Sequence, residues 1–185
     1  MITDLTEIKN YLKDKQICLL GNARSILNSP KDIDKYEIIG RMNRGNPKGR
    51  EQYIGSKTDI LFSSTRMSNN EFLRFNTKYV IWMVKALKRV PIYLEKSIIL
   101  SPANDWQEMK DKYPEKKLPS TGCLAINFLL KHIEFKSLTI YGFDFFKSGT
   151  WYHNLKHQNW HPAETEEQII KEMLKNHKNV EVIIE

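Results

Sequence analysis

Cysteine is scarce in this chain: among its 185 residues only Cys18 and Cys123 carry a thiol. Two scattered cysteines build neither a disulfide framework nor a zinc-binding set, because both need several cysteines at short spacings. Each of the two lies within an apolar run. We therefore expect both to be buried free thiols.

Long hydrophobic runs are absent as well. No stretch approaches the roughly 20 apolar residues that a membrane-spanning helix needs. Residues 1–15 alternate charged and apolar side chains and lack the core of a signal peptide. The sequence thus predicts a soluble cytoplasmic protein, and peripheral contact with the inner face of a membrane stays open.

Acidic residues are fewer than basic ones. The 29 lysines and arginines exceed the 22 aspartates and glutamates, which gives a formal net charge of +7. This excess favours anionic partners, although a role in solubility alone is equally compatible with it. The chain has no Walker loop, no three-glycine dinucleotide pattern and no RNP motif. No nucleic-acid partner is therefore predicted.

Apolar, β-rich segments alternate with helical patterns along the chain. Strands are predicted at residues 16–20, 37–42, 58–62, 79–84, 97–100, 137–141 and 180–184. Helices are predicted at residues 5–13, 23–27, 104–112, 123–130 and 164–177. Uninterrupted apolar strands separated by helices indicate a sheet that is covered on both faces. We predict one α/β, Rossmann-like domain over residues 1–185, with a mostly parallel sheet of about seven strands and helices on both faces.

The turn Pro119-Ser120-Thr121-Gly122 opens the predicted helix at residues 123–130. Ser and Thr supply hydroxyls, and Gly lets a ligand approach the backbone closely. The helix N-terminus would direct N–H groups and positive dipole at a bound anion. The following strand ends at the polar segment Gly142-Phe143-Asp144, and ligands bind at such strand ends in open α/β sheets. These features predict an anion pocket.

Two further predicted strands end in asparagine, one at Gly21-Asn22 and one at Arg41-Met42-Asn43. Either amide could contact a phosphate or a ribose. The alternative for Asn22 is an ordinary strand-to-helix turn, in which asparagine tolerates the left-handed conformation. The alternative for Asn43 is a solvated basic turn.

Three of the five histidines, His153, His157 and His161, lie within nine residues. Histidine exchanges its proton near neutral pH and is therefore a natural acid or base. The spacing of four also suits a zinc site on one helix face, but Asn159 and Pro162 argue against a continuous helix there.

Two acidic segments can be interpreted either as functional or as ordinary surface charges. Glu166 follows Pro162 and Glu164 in a typical helix start, so it is compatible with a surface charge that complements the helix dipole. Asp32-Ile33-Asp34 matches the metal-binding D-x-D of many nucleotide-sugar transferases, but lysines flank it and favour solvated loop charges. We predict no metal and no cofactor.

Four of these segments, in this order, resemble the sialylmotifs of glycosyltransferase family 29, the eukaryotic-type sialyltransferases. Residues 17–45 resemble the large motif and residues 119–143 the small motif. Tyr152-His153 resembles the third motif, and His161 with Glu166 resembles the very small motif. The segment Gly142-Phe143-Asp144-Phe145 is closer to the bacterial family 42 sialyltransferases. Residues 52–118 are largely unaligned.

The resemblance implies a variant of the GT-A fold and a metal-independent, inverting transfer of sialic acid from a CMP-activated donor to a glycan. It makes His161 the catalytic base and His153 a hydrogen-bond donor to the leaving phosphate. The implied donor-binding residues are Asn22, Asn43, Ser120, Thr121, Gly122, Gly142 and Phe143. Further candidate site residues are Gly21, Arg41, Asp144, Tyr152 and Glu166.

The family's disulfide has no counterpart, because Cys18 lies near its first position and Ile133 near its second. Two other functions stay open at this point. A CMP-Kdo-dependent transferase acting on lipopolysaccharide core would need the same kind of pocket. The net charge of +7 is also compatible with a non-catalytic nucleotide- or polyanion-binding protein.

Overall fold

Seven parallel strands form one sheet in the computed structural model, which describes residues 4–84, 98–152 and 161–184. The strands are β1 (Gln16–Leu20), β2 (Ile38–Met42), β3 (Ile60–Ser63), β4 (Tyr79–Trp82), β5 (Ile98–Leu100), β6 (Ser137–Tyr141) and β7 (Val180–Ile183). The helices are α1 (Leu5–Leu12), α2 (Glu51–Ile54), α3 (Asn69–Leu73), α4 (Ala103–Asp111), α5 (Thr121–His132) and α6 (Ala163–Leu174), and a 3-10 turn spans Arg24–Leu27. The predicted α/β class and seven-stranded parallel sheet are confirmed.

The strand order across the sheet is β5-β4-β3-β2-β1-β6-β7. The chain begins in the middle with β1, adds β2 to β5 on one side, and then adds β6 and β7 on the other. The order therefore reverses at β1, which pairs with β2 and with β6. In open α/β sheets, ligands bind beside such a reversal point at the carboxyl ends of the strands.

Alternation along the strands explains why helices cover both faces. In β1, Ile17 and Leu19 pack into a cluster that includes residues of α1, α4, α5 and α6. Cys18 and Leu20 point the other way and pack against the 3-10 turn and α2. Residues of β3, β4 and β5 on that second face pack against α3. Because successive side chains are apolar, each face of the sheet needs its own cover.

Helix α5 is buried along most of its length, as its apolar sequence predicts. It begins at Thr121, two residues earlier than the prediction. The reason is a side-chain cap: the N–H of Cys123 donates to the hydroxyl oxygen of Ser120 at 3.1 Å. Thr121 and Gly122, which the sequence placed in a turn before the helix, therefore belong to the first turn of α5 itself.

Two short helices, α2 and α3, are not predicted. They have four and five residues, too few to show a periodic pattern. Helix α3 does carry a sequence signal, because Ser68 and Glu71 form a reciprocal capping box. At the C-terminal side, α6 ends at Leu174 rather than at residue 177.

Both cysteines are buried and free, as predicted. Burial raises the pKa of the Cys18 thiol to about 12 and also raises the pKa of the Cys123 thiol. Both thiols therefore stay protonated at neutral pH. Among the described residues, no helix has the length and apolar character needed to cross a bilayer.

Two glycines bring the chain together where β1 and β6 end. The N–H of Gly21 donates to the carbonyl of Tyr141 at 2.7 Å, and the N–H of Ala23 donates to the carbonyl of Gly142 at 3.1 Å. A Cβ on Gly21 would lie 2.0 Å from the carbonyl oxygen of Gly142, which itself has a φ of +70°. Only glycine at position 21 permits this approach of the two loops.

We predict that Gly21→Ala lowers the free energy of unfolding by about 3 kcal/mol or more, because its Cβ meets rigid backbone rather than a movable side chain. Gly49→Ala is the matched control: nothing lies within 4 Å of its Cβ, but its φ is +80°. It should cost only the left-handed strain, about 1–2 kcal/mol. Urea denaturation of both variants measures the difference, and equal losses would contradict the close approach.

Candidate active site

A pocket opens at the carboxyl ends of β1, β2 and β6, beside the first turn of α5. Of the predicted site residues that the structure describes, all except Arg41 line it, namely Gly21, Asn22, Asn43, Ser120, Thr121, Gly122, Gly142, Phe143, Asp144, Tyr152, His161 and Glu166. The prediction for His153 falls outside the described residues, as does His157. The reversal of strand order at β1 thus brings four separate sequence segments to one place.

The pocket also has lining residues that sequence reasoning missed. These are Ala23, Met42, Phe145, Phe146, Gly149 and Thr150. Most belong to the loop between β6 and Tyr152, at or beyond the end of the motif-like segment Gly142-Phe143-Asp144-Phe145. The signal available in the sequence is the position of this loop between two candidate segments.

Glu166 lies under the first turn of α5 and holds it. Its carboxylate accepts hydrogen bonds from the N–H of Ser120 at 3.0 Å and from the hydroxyl of Ser120 at 2.5 Å. It also accepts from the hydroxyl of Tyr113 at 3.1 Å. Glu166 is only 3% exposed, so the interpretation as a surface charge is wrong. The hydroxyl of Ser120, predicted to grip a ligand, is engaged by the protein itself.

Asn43 connects the end of β2 to α5 and β3. Its side-chain N–H donates to the hydroxyl oxygen of Thr121 at 3.0 Å, and its side-chain oxygen accepts from the N–H of Ser64 at 3.0 Å. Its φ of +49° is the left-handed conformation that asparagine tolerates. These contacts use one of the two amide hydrogens. The solvated-turn interpretation of Asn43 is wrong, because its side chain is bonded on both ends.

Asn22 holds Tyr152 at the other side of the pocket. Its side-chain nitrogen donates to the carbonyl of Met42 at 3.1 Å and to the hydroxyl oxygen of Tyr152 at 3.4 Å. Burial raises the pKa of Tyr152 above its ordinary value. The phenol therefore keeps its proton at neutral pH while its oxygen accepts from Asn22.

Gly122 makes room for an aromatic ring. A Cβ on Gly122 would lie 2.6 Å from Cε1 of Phe143. The ring of Phe143 therefore lies against the first turn of α5, in the space that a larger residue would fill. The small size of Gly122 thus allows Phe143 to pack into the pocket wall.

His161 lies just before α6, which begins at Ala163. Its Nδ1–H donates to the carbonyl oxygen of Leu118 at 2.8 Å. Because a carbonyl can only accept, Nδ1 carries the hydrogen, and in the neutral imidazole the lone pair is on Nε2. Leu118 immediately precedes the turn that opens α5. The histidine is thereby tied to the same turn as Glu166.

Arg41 does not reach the pocket. The period of two along β2 places its side chain on the opposite face from Met42, where it is 1% exposed. Its guanidinium donates to the loop before β3, at the carbonyls of Ile54, Gly55 and Lys57 and the hydroxyl of Thr58. Burial lowers its pKa to about 10, which still leaves it charged at neutral pH. The structure thus corrects the prediction: Arg41 holds a loop.

Among the described residues, no group of histidine, cysteine, aspartate or glutamate side chains could hold a metal ion. In the D-x-D segment, Asp34 accepts hydrogen bonds from Ser56 and from the N–H of Lys57. These bonds outweigh the effect of burial and keep the pKa of the Asp34 carboxyl below its ordinary value. Asp34 is an exposed loop residue, as predicted.

The described lining contains two carboxylates, Asp144 and Glu166, and neither lysine nor arginine. The excess positive charge of the chain therefore lies outside this part of the pocket. An anion bound here would contact amide, phenol and backbone N–H groups and the positive end of α5.

Comparisons in sequence identify relatives, although no protein-family model matches the chain. The CMP-N-acetylneuraminate-beta-galactosamide-alpha-2,3-sialyltransferase 1 of Gallus gallus is 26% identical over a gapped alignment of 167 positions, which covers 75% of this chain and 47% of the relative. The CMP-N-acetylneuraminate-beta-galactosamide-alpha-2,3-sialyltransferase 2 of Mus musculus is 26% identical over a gapped alignment of 213 positions, which covers 92% of this chain and 58% of the relative. The resemblance to the family 29 sialyltransferases is confirmed. The chain spans about half the length of the curated relatives it matches.

Solved structures show the same fold. A mammalian sialyltransferase superimposes with a TM-score of 0.65 at 19% identity, over 99% of this chain and 73% of that one. A sialyltransferase from Campylobacter jejuni, in complex with cytidine-5'-monophosphate, gives 0.62 at 14% identity, over 92% and 80%. The predicted likeness to both groups of sialyltransferases therefore extends to the architecture of the sheet.

We predict that Glu166→Gln lowers the free energy of unfolding by about 2 kcal/mol, since it removes charged hydrogen bonds and adds an N–H where three donors converge. Glu167→Gln, at the next position, breaks only the ion pair with exposed Lys171 and should cost less than about 1 kcal/mol. Urea denaturation followed by far-UV circular dichroism compares the two. Equal stability of both variants would show that the Glu166 contacts do not hold the turn.

Proposed function

We propose that this protein is a sialyltransferase that moves sialic acid from CMP-sialic acid to a hydroxyl of a glycan acceptor, with inversion and without a metal. The observation that carries the proposal is the pocket itself. It brings residues of all four sialylmotif-like segments to the ligand-binding edge of a sheet that has the sialyltransferase fold. We further infer that this architecture is a variant of the GT-A fold.

The relatives support the choice of donor and acceptor. Their names specify CMP-N-acetylneuraminate as the donor, and one related structure contains CMP. A mammalian structure of the same fold contains Gal-beta-1-3GalNAc, bound as its ortho-nitrophenol derivative. On this basis we propose a CMP-linked sialic acid as donor and a galactose-containing glycan as acceptor.

The pocket suits departure of a nucleotide phosphate. As the bond between the anomeric carbon and the phosphate oxygen breaks, its electron pair leaves with CMP, and negative charge grows on that oxygen. Positioned neutral donors stabilise such charge where water is excluded. Asn43, with one amide hydrogen beyond its bond to Thr121, and the protonated phenol of Tyr152 can supply them. His153 has the same proposed role.

His161 suits removal of the acceptor proton. The acceptor oxygen forms its bond to the anomeric carbon from the face opposite the leaving phosphate, which inverts the configuration. Its proton must go to a base at the same time. Nε2 of His161 carries the lone pair because Nδ1–H donates to Leu118. The proton therefore ends on Nε2, and the resulting imidazolium keeps its bond to the Leu118 carbonyl.

We predict that His161→Ala lowers kcat by about 10²–10⁴-fold, the usual contribution of a general base. Binding of CMP, measured by calorimetry, should persist, because the base contacts the acceptor rather than the nucleotide. His177→Ala is the control, since His177 lies in the turn after α6 and does not line the pocket. Loss of CMP binding together with activity would contradict the assignment of the base.

The proposed donor is tested by incubating the purified protein separately with CMP-sialic acid and CMP-Kdo and measuring release of CMP, with a galactose-terminated acceptor present. We expect release from CMP-sialic acid only, with the same rate in EDTA, because the proposed chemistry uses neutral hydrogen-bond donors and a histidine base. Release from CMP-Kdo alone would identify the other transferase. CMP binding without turnover of either donor would identify a non-catalytic nucleotide-binding protein.

A further inference from the structure

An aromatic ring lies against the face of His161. The rings of Phe146 and His161 are stacked with 5.8 Å between their centroids and 13° between their planes. This separation is within the range of offset-stacked aromatic pairs. Both residues line the pocket. Phe146 belongs to none of the motif-like segments, and no role follows for it from the proposed chemistry alone.

The bond from Nδ1 to the carbonyl of Leu118, at 2.8 Å, fixes the position of one ring atom. A flat ring packed against the imidazole face resists tilting of the imidazole out of its plane. The hydrogen bond and the stacked ring therefore restrain different motions of the imidazole, and both favour one direction for the lone pair on Nε2.

The backbone around Phe146 adopts a strained conformation. Phe145 and Phe146 have φ values of +54° and +65°, which are rare for aromatic residues and cost roughly 1–2 kcal/mol each. Such conformations persist only where the surroundings fix them, and they concentrate at functional sites. Here the N–H of Ser148 donates to the carboxylate of Asp144 at 2.7 Å, and the N–H of Ser25 donates to the hydroxyl oxygen of Ser148 at 3.0 Å. The loop is thereby fastened to the chain that follows β1.

We infer that Phe146 is a positioning residue for His161: its ring holds the imidazole in the plane from which Nε2 accepts the proton of the acceptor hydroxyl. Phe146 forms no bond in the reaction and acts through His161. The kinetic consequence rests on the proposed function, whereas the ring contact is measurable without turnover.

Three variants of the full chain test the contact. Phe146→Leu keeps an apolar side chain and removes the flat ring, Phe146→Tyr keeps the ring, and Lys147→Ala changes the exposed neighbour in the same loop. The readout is the ring-proton NMR signal of His161 in histidine-labelled protein, assigned by its loss in His161→Gln. Loss of the aromatic ring current should move this signal in Phe146→Leu, and Phe146→Tyr and Lys147→Ala should leave it near its original position. An unmoved signal in Phe146→Leu overturns the inference.

Steady-state kinetics test the consequence. In Phe146→Leu we expect kcat to fall about tenfold, because a displaced base loses alignment, while KM for the CMP-sugar stays unchanged. Phe146→Tyr should restore kcat. A rise in KM that accompanies the fall in kcat would indicate a collapsed pocket and overturn the positioning role. If the original protein releases no CMP from any CMP-sugar, the proposed function fails, and the NMR signal still decides the contact.

Discussion

The carboxylate of Glu166 is the contact on which the geometry of the pocket depends. It extends from α6 to the backbone and hydroxyl of Ser120 and to the phenol of Tyr113. A buried carboxylate is costly unless several donors satisfy it, so this arrangement tolerates little displacement of α6 against α5. His161 lies just before α6 and bonds to Leu118 just before α5. One buried charge thus sets the distance between the proposed base and the turn beside the proposed nucleotide site.

In the described pocket, the charged carboxylates and the neutral hydrogen-bond donors have different partners. Its carboxylates are used inside the protein, Glu166 under α5 and Asp144 within the loop after β6. The lining also carries amide, phenol and backbone N–H donors beside its aromatic side chains. A preorganised set of neutral donors stabilises charge that develops during a reaction without a large change of solvation. This division supports the proposed binding of an anionic nucleotide sugar in a pocket whose described lining has no lysine or arginine.

Much of the fold is readable from the sequence, and the reasons for the exceptions are physical. All seven strands are predicted because most are apolar, β-rich runs bounded by polar residues, as in Gln16–Leu20 and Ser137–Tyr141. Helices α2 and α3 are missed because four or five residues carry no periodicity. Most of the candidate site is predicted, because its residues follow strand ends. Phe146 is missed because it lies just beyond the motif-like segment that ends at Phe145.

The sequence by itself determined the class of fold and the positions at which polar residues follow the ends of apolar strands. Both follow from the order of apolar and polar residues within short segments. Only the tertiary structure decided the partner of each polar group. Asn22 meets Tyr152 across 130 positions of chain, and Asn43 meets Thr121 across 78. Arg41, next to the pocket in sequence, faces away from it because side chains alternate along β2. Such pairings depend on the order of strands and on the direction of each side chain, which no local pattern specifies.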